Sequence, residues 1–320
     1  MKVIVTGATG GLGRNLVLHV KQLGWEVLAL GRNETIGHDL GVRFKSVDLS
    51  DEKATTHAFE SASVVFHCAA LSSPWGSDEA FFNANVRATQ NVVNAMKYHA
   101  IPKIVHVSTP SIYFDYRDHR NVKESYVAQT FANAYAKSKY EAEQVVLQSD
   151  VHSIILRPRG IFGEYDQALI PRVERIARRG FLPLIKGKNP IVDITYVGNV
   201  VHALCLAATQ AIPSKSIFNI TNDDPKSIRE IFELVVQTLG LHVSFKPLPY
   251  GMMLFTARVL ERLANRGWMH EPPLTRYGVG LIATDQTLDI QNAKEVLGYA
   301  PVFTIEEGMK RYASWRNQTV

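Results

Sequence analysis

The sequence predicts an α/β protein: a doubly wound parallel sheet followed by a smaller, irregular C-terminal lobe. Three observations carry that expectation. Short β-branched runs alternate with helical patterns through the first half, which calls for parallel strands joined by crossover helices. A glycine-rich turn follows the first run. After about residue 160, prolines at 171, 183, 190, 213 and 225 break the rhythm into shorter elements, and more follow at 247, 249, 272, 273 and 301.

Taken in order, "KVIVTG" (2–7), "WEVLALG" (25–31), "VRFKSVD" (42–48), "ASVVFHCA" (62–69), "PKIVHVS" (102–108) and "HSIILRP" (152–158) read as strands. Helical patterns lie near 11–23, 51–60, 78–98 and 128–149. The expected division is a dinucleotide-binding domain over 1–160 and a substrate lobe over 161–320 that returns some segments to the sheet. Ligands of such a sheet bind at the carboxyl ends of its strands.

The chain has 320 residues, 46% hydrophobic and 20% charged, enough for a substantial core. Its net charge of +5 is scattered, with no basic tail, so nucleic acid is not an expected partner. The two cysteines, Cys68 and Cys205, form neither a disulfide framework nor a metal spacing. With no secretory leader recognised, a cytoplasmic protein is expected. The most membrane-like stretch, 251–268, is interrupted by Arg258, Glu261, Arg262 and Arg266, and falls short of a span.

"VTGATGGLGRNLV" (5–17) leaves the first strand and opens a helix. Gly7 suits the tight turn, Gly10 lets backbone amides approach a pyrophosphate, and Gly13 lets the helix pack on the sheet. Thr9, Gly11 and Leu12 belong to the same cofactor loop. This is a Rossmann-type site for a dinucleotide. The second strand ends "ALGRN" without the acid that would hold an adenosine ribose, and offers Arg32 instead, with Arg14 early in the helix. That favours NADP(H) over NAD(H). Asp48, next to Leu49 after the third strand, either meets the adenine or caps the next helix.

In "NAYAKSKYEAEQVV" (133–146), Tyr135 and Lys139 are four apart and share a helix face. Hydride delivered to a ketone leaves an oxygen that needs a proton, and a phenol can give it. The ordinary phenol titrates near 10, so a neighbouring ammonium should bring it towards neutral pH. A hydroxyl cluster in "VSTPSIY" (107–113) ends the strand before that helix, and either supplies a second donor or makes ordinary turn contacts.

The set "TGATGGLG", "HCAA" (67–70), "NANVRATQNVV" (83–93), "VSTPSIY", "YAKSK", "LRPRGIFG" (156–163), "VDITYVGNVV" (192–201) and "LGYAPVFTIEEG" (297–308) resembles the extended short-chain dehydrogenase/reductase family nearly end to end. Within it, "ALSSPWG" (70–76), "STPSIYFD" (108–115), "ALIPRVERIARRG" (168–180) and "EPPLTRYGV" (271–279) look closest to the 3β-hydroxysteroid dehydrogenase-like branch and to bacterial 2-alkyl-3-ketoalkanoic acid reductases. The resemblance implies Tyr135 as general acid/base, Lys139 as its partner and Thr109 as the catalytic hydroxyl. It makes Ser108 a structural group and places Ser111, with Tyr113, at the substrate. It assigns Asn85, Ala69, Ala70, Pro158, Gly160 and Ile161 to the cofactor crevice. It also implies a homodimer through the helices near 78–98 and 128–149. Phe114 departs from a usual glycine, and Gly198 from a common acid. The adjacent Asp and Glu of sugar-nucleotide dehydratases are replaced by Pro110 and Ser111, so that chemistry is unsupported.

The expected function is therefore NADP(H)-preferring interconversion of a ketone and a secondary alcohol on a hydrophobic substrate. The alternatives are a sugar-nucleotide epimerase on the same scaffold and a non-catalytic dinucleotide sensor. Met252, Met253, Leu254, Phe255 and Trp268 either build the lobe's core, line a pocket, or meet a membrane surface. Arg172, Arg175, Arg178 and Arg179 form a basic helix face that is either solvated or brings one member to a carboxylate or phosphate of the substrate. His67, His99, His106 and His152 lack metal-ligand spacing and are expected to be structural; no metal is expected.

Overall fold

Apolar runs with no polar alternation fit strands covered on both faces, and such runs form the middle of a seven-stranded parallel sheet. The computed structural model describes residues 1–319. Its strands are β1 (Lys2–Thr6), β2 (Glu26–Gly31), β3 (Arg43–Ser46), β4 (Val64–His67), β5 (Lys103–Val107), β6 (His152–Pro158) and β7 (Ser216–Ile220). Their spatial order is β7-β6-β5-β4-β1-β2-β3. Every pairing is parallel, with β1 between β2 and β4, so strand order reverses there and opens a crevice.

The pleat sends alternate side chains to opposite faces. Val3 and Val5 pack with Leu16, Val17 and Val20 of the helix Gly11–Gln22, and with Val200 and Leu204 of the helix Val197–Thr209. Ile4 packs on the other face with Val92 and Met96 of the helix Ala88–Tyr98 and with Val146 of the helix Ala134–Gln148. The six strands read from the first half are all present, and β7 comes from the second half.

The helix expected over 78–98 is divided. Asp78–Phe81 and Ala88–Tyr98 are α-helical, while Phe82–Arg87 is a π-helical turn. The helix expected from 128 begins at Ala134, because Asn133 is extended and its side chain accepts from the Ala136 amide at 2.9 Å. A six-residue helix, Glu34–Asp39, is too short for a periodic apolar face and is announced only by its Asn33 cap.

The lobe holds three small sheets. Phe181–Ile185 pairs with Ser244–Leu248, and Ile161–Phe162 with Thr195–Tyr196. The third sheet has four strands: Lys226–Ser227, Ile191–Val192, Gln286–Leu288 and His119–Val122. The last of these belongs to the first half, so segments of each half cross into the other. The helix Tyr250–Asn265 turns Met253 and Ala257 inward and leaves Met252 and Phe255 exposed; Trp268, just beyond it, is 77% exposed. The expected apolar stretch is thus half core and half surface. Among the described residues no helix is long and apolar enough to cross a membrane.

One buried network joins these parts. Arg157 of β6 makes a forked pair with Glu143 of the helix Ala134–Gln148, at 2.8 and 2.5 Å. Its third nitrogen, Nη1, donates to Tyr113 Oη at 2.7 Å and to the Glu124 carbonyl at 2.8 Å. Tyr113 donates to Asn219 Oδ1 of β7 at 2.8 Å, and Asn219 Nδ2 donates to the carbonyls of Val122 and Asp289. Removing one charge strands the other in a medium that cannot solvate it. Glu143→Gln is therefore expected to lower stability by about 3–5 kcal/mol, read as a fall in the urea midpoint.

Candidate active site

The glycine loop shows why three positions carry no side chain. At Gly7, with φ +67°, a Cβ would lie 2.7 Å from the backbone of Ala69 on the neighbouring strand end. At Gly13 it would lie 2.2 Å from the Gly7 carbonyl oxygen, where helix meets sheet. At Gly10 its nearest contact is 3.3 Å, again that oxygen, so this position opens on the crevice. Gly10 also stands as N-cap of the helix Gly11–Gln22 with no side-chain cap, leaving its amides turned to the positive end. These features fit a dinucleotide pyrophosphate.

The remaining expected cofactor residues cluster around that crevice. A Cβ at Gly31 would meet Thr9 Oγ1 at 2.8 Å, and one at Gly11 would meet the Tyr165 carbonyl oxygen at 2.7 Å, so the loop is pressed from two sides. Leu12 packs between the sheet core and the lobe core. Arg32 is exposed at the end of β2, and its charge reaches Asp48. Asp48 accepts from the Ser50 amide and hydroxyl at 2.9 and 2.8 Å, and these bonds hold its carboxyl below the usual range. The next helix is capped by Asp51 instead, so that alternative reading of Asp48 fails. Leu49 is buried beside it. Arg14 stacks over Tyr165 with 4.0 Å to the ring centre, rather than joining Arg32. Ala70 is exposed at the mouth, Pro158 and Ile161 flank the turn, and Gly160 there takes φ +53°.

The Tyr135 helix lies along the other side. Asn85, in the π-helical turn, accepts from the Leu71 amide at 2.7 Å and donates to Ser138 Oγ at 2.9 Å. Ser138 in turn donates to the Tyr135 carbonyl at 3.0 Å. The tyrosine backbone is thus tied to the loop after β4. Its phenol faces the hydroxyls of Ser72 and Thr109, which act on it. Burial pushes the phenol above its ordinary value, and those two hydroxyls oppose the rise.

Lys139 is buried beneath the crevice. Its ammonium donates to the Val107 carbonyl at 2.6 Å, and burial brings it down to about 8. It is felt at His67, His106 and Cys68, while the groups that act on Tyr135 are Ser72 and Thr109. Around Lys139, burial holds His67 neutral, down to about 3, between Thr6 and Thr89 at 2.7 and 2.9 Å. Among the described residues no group of His, Cys, Asp and Glu could hold a metal.

The hydroxyl cluster sorts itself by partner. Thr109 caps the short turn Pro110–Tyr113, accepting from the Ser111 amide at 3.2 Å, and donates to Ser111 Oγ at 3.0 Å. Ser111 Oγ is 2.8 Å from Tyr277 Oη. Ser108 Oγ is buried with no partner, under the turn. Tyr113, expected at the substrate, is 3% exposed; its hydroxyl is engaged by Arg157 and Asn219, and it lines a small cavity with Pro110 and Phe114. The two departures also find their reasons. The Phe114 ring meets Tyr277 edge-on at 5.4 Å and uses space left by Gly280, where a Cβ would lie 2.7 Å from it. At Gly198 a Cβ would strike the Tyr196 ring at 2.5 Å, and Asn199 supplies the bonding, to Asn222 and to residues 302–303.

Ser72, Tyr277 and Arg159 are site residues that spacing alone did not single out. Ser72 lay in the quoted "ALSSPWG" with no distinguishing signal, and Tyr277 is 166 positions from the serine it bonds.

This fold and this constellation define an oxidoreductase that interconverts an alcohol and a carbonyl. The chain belongs to the 3-beta hydroxysteroid dehydrogenase/isomerase family, whose model matches residues 4–249. It is 39% identical to the uncharacterized protein YbjS of Escherichia coli (strain K12), over 98% of this chain and 97% of that one. It is 33% identical to a 2-alkyl-3-oxoalkanoate reductase of Shewanella oneidensis, over 96% of this chain and 84% of that protein. In fold it is similar to MoeE5, solved in complex with UDP-glucuronic acid and NAD, with a TM-score of 0.79, 22% identity and full coverage of both chains.

The glycine geometry separates folding from binding. Gly13→Ala is expected to cost about 1–3 kcal/mol, seen as a lower unfolding midpoint. Gly10→Ala should keep most of that stability and lose the midpoint rise that added dinucleotide produces.

Proposed function

We propose that this protein interconverts a 3-keto acid, or a similar hydrophobic ketone, and its secondary alcohol, with NADP(H) as the preferred dinucleotide. The observation that carries the reading is the meeting of Tyr135 with Thr109 and Ser72 at the carboxyl edge of the sheet, beside the glycine loop. The name of the Shewanella relative supports the substrate class. Arg32, with no acid at the end of β2, supports the NADP(H) preference.

A bound nicotinamide supplies or takes up the hydride. Thr109 polarises the ketone oxygen. Tyr135, kept protonated by burial, gives that oxygen its proton as the alcohol forms. A hydrogen bond from Ser72 then holds the phenolate. Lys139 places a positive charge beneath the site, anchored on the Val107 carbonyl, and fixes the strand end that carries Thr109. Gly7, Gly10 and Gly13 leave room for the pyrophosphate, and Asn85 positions the tyrosine helix. The epimerase reading gains less support, since the named Shewanella relative is a reductase of a 3-oxo acid.

The test is turnover of β-keto acids, steroids and aromatic ketones with NADPH and with NADH. Reduction of a keto acid with NADPH favoured is expected, and NADH preference would overturn the role of Arg32. Tyr135→Phe should lower kcat about 10²–10⁴-fold with dinucleotide affinity nearly unchanged. Because Lys139 is brought down to about 8, it is charged below that pH and neutral above. The kcat/KM for reduction is therefore expected to be flat below about pH 8 and to fall above it, and Lys139→Met should remove that limb.

A further inference from the structure

Two arginines at the end of β6 meet opposite surroundings. Arg157 is saturated by Glu143, Tyr113 and Glu124. Arg159 has a buried Nε with no hydrogen-bond partner. Its backbone is held on both sides: the amide donates to the Ile220 carbonyl at 3.1 Å, and the carbonyl accepts from Thr195 Oγ1 at 2.6 Å. The left-handed turn at Gly160 follows at once. The side chain is therefore presented from a rigid strand end.

Its charged surroundings are Tyr277 and Asp193. Of the two only Asp193 is ionised at neutral pH, and no salt bridge joins it to Arg159. Asp193 is engaged by the Leu288 amide at 2.7 Å, and burial lifts its carboxyl to about 6. Tyr277 is a neutral phenol pushed up to about 12 by burial, and it is bonded to Ser111. A guanidinium whose buried Nε has no hydrogen-bond partner, and whose neighbouring carboxylate is engaged by another group, carries a desolvation penalty that an incoming anion relieves.

Arg159 also stands in the right place. The hydroxyls run Tyr135, Thr109, Ser111, Tyr277, and Arg159 acts on the last of them. Phe114 packs edge-on against Tyr277 and lines a small cavity together with Arg159 and Pro110. Through Tyr277 and Phe114, Arg159 is thus linked to the turn that carries Thr109 and Ser111.

We propose that Arg159 binds the carboxylate of the substrate and makes this protein selective for 3-oxo and 3-hydroxy acids over neutral ketones and alcohols. This rests on the ketone and alcohol reading above. A 3-oxo acid carries its carboxylate two carbons from the ketone, so this linked set of side chains can hold both ends. The planar fork of arginine suits a carboxylate through paired charge-assisted hydrogen bonds.

The test compares a 2-alkyl-3-hydroxyalkanoate with its methyl ester, in the oxidative direction, for the full-length protein and for Arg159→Gln and Arg159→Lys. The acid-to-ester ratio of kcat/KM should exceed one in the parent and fall roughly 10- to 150-fold in Arg159→Gln, the scale of hydrogen bonds to a charged group. Arg159→Lys should restore part of it. An equal ratio in parent and Arg159→Gln overturns the assignment, as does a loss of dinucleotide affinity with the ratio unchanged. Titration calorimetry of the same acid and ester gives a readout free of turnover. Acid binding that depends on Arg159 in a protein that oxidises neither compound would sink the functional reading and leave the carboxylate site standing.

Discussion

The buried pair between Arg157 and Glu143 is the constraint on which the site's geometry depends. It joins β6 to the helix that carries Tyr135 and Lys139. Through Tyr113 it reaches the turn that carries Thr109 and Ser111, and through Asn219 it reaches β7 and two loops of the lobe. A buried ion pair adds little net stability over well-packed apolar groups, because desolvation offsets most of the attraction. Its effect here is directional. Five hydrogen bonds with fixed angles meet at two residues, Arg157 and Tyr113, and they set where the tyrosine helix lies against the hydroxyl turn.

Around that constraint the site separates charge from proton chemistry. Lys139 brings a cation under the crevice, while His67 and His106 stay neutral through burial and add no second charge. Tyr135 keeps its proton for the same reason. One physical effect, exclusion of water, therefore keeps the phenol protonated, keeps the histidines neutral and makes the lysine easier to discharge. Arg159 is exposed to the same effect on the substrate side, without the carboxylate that Arg157 enjoys.

Much of this was legible in the sequence, and for identifiable reasons. Strands buried on both faces must be continuous apolar runs, so "KVIVTG" and "HSIILRP" announce themselves. Gly7 and Gly13 are required by backbone contacts closer than any side chain allows, and their spacing is a local signature. Tyr135 and Lys139 share a helix face by period alone, but the period says nothing of where each side chain ends. Lys139 reaches a carbonyl of β5, and Tyr113 turns into the core, because partners from other segments compete for them.

The sequence by itself determined the alternation of strand and helix, the glycine turn and the helix face that carries the tyrosine. Each depends on interactions within a few residues, or on burial periodicity, which a linear pattern records. Only the tertiary structure decided which hydroxyl meets Tyr135, that Tyr277 closes the chain of hydroxyls, and that one of two neighbouring arginines is left unpaired. Those outcomes depend on partners brought together from segments 26 to 166 positions apart, where distance and angle, and not residue type, select the pair.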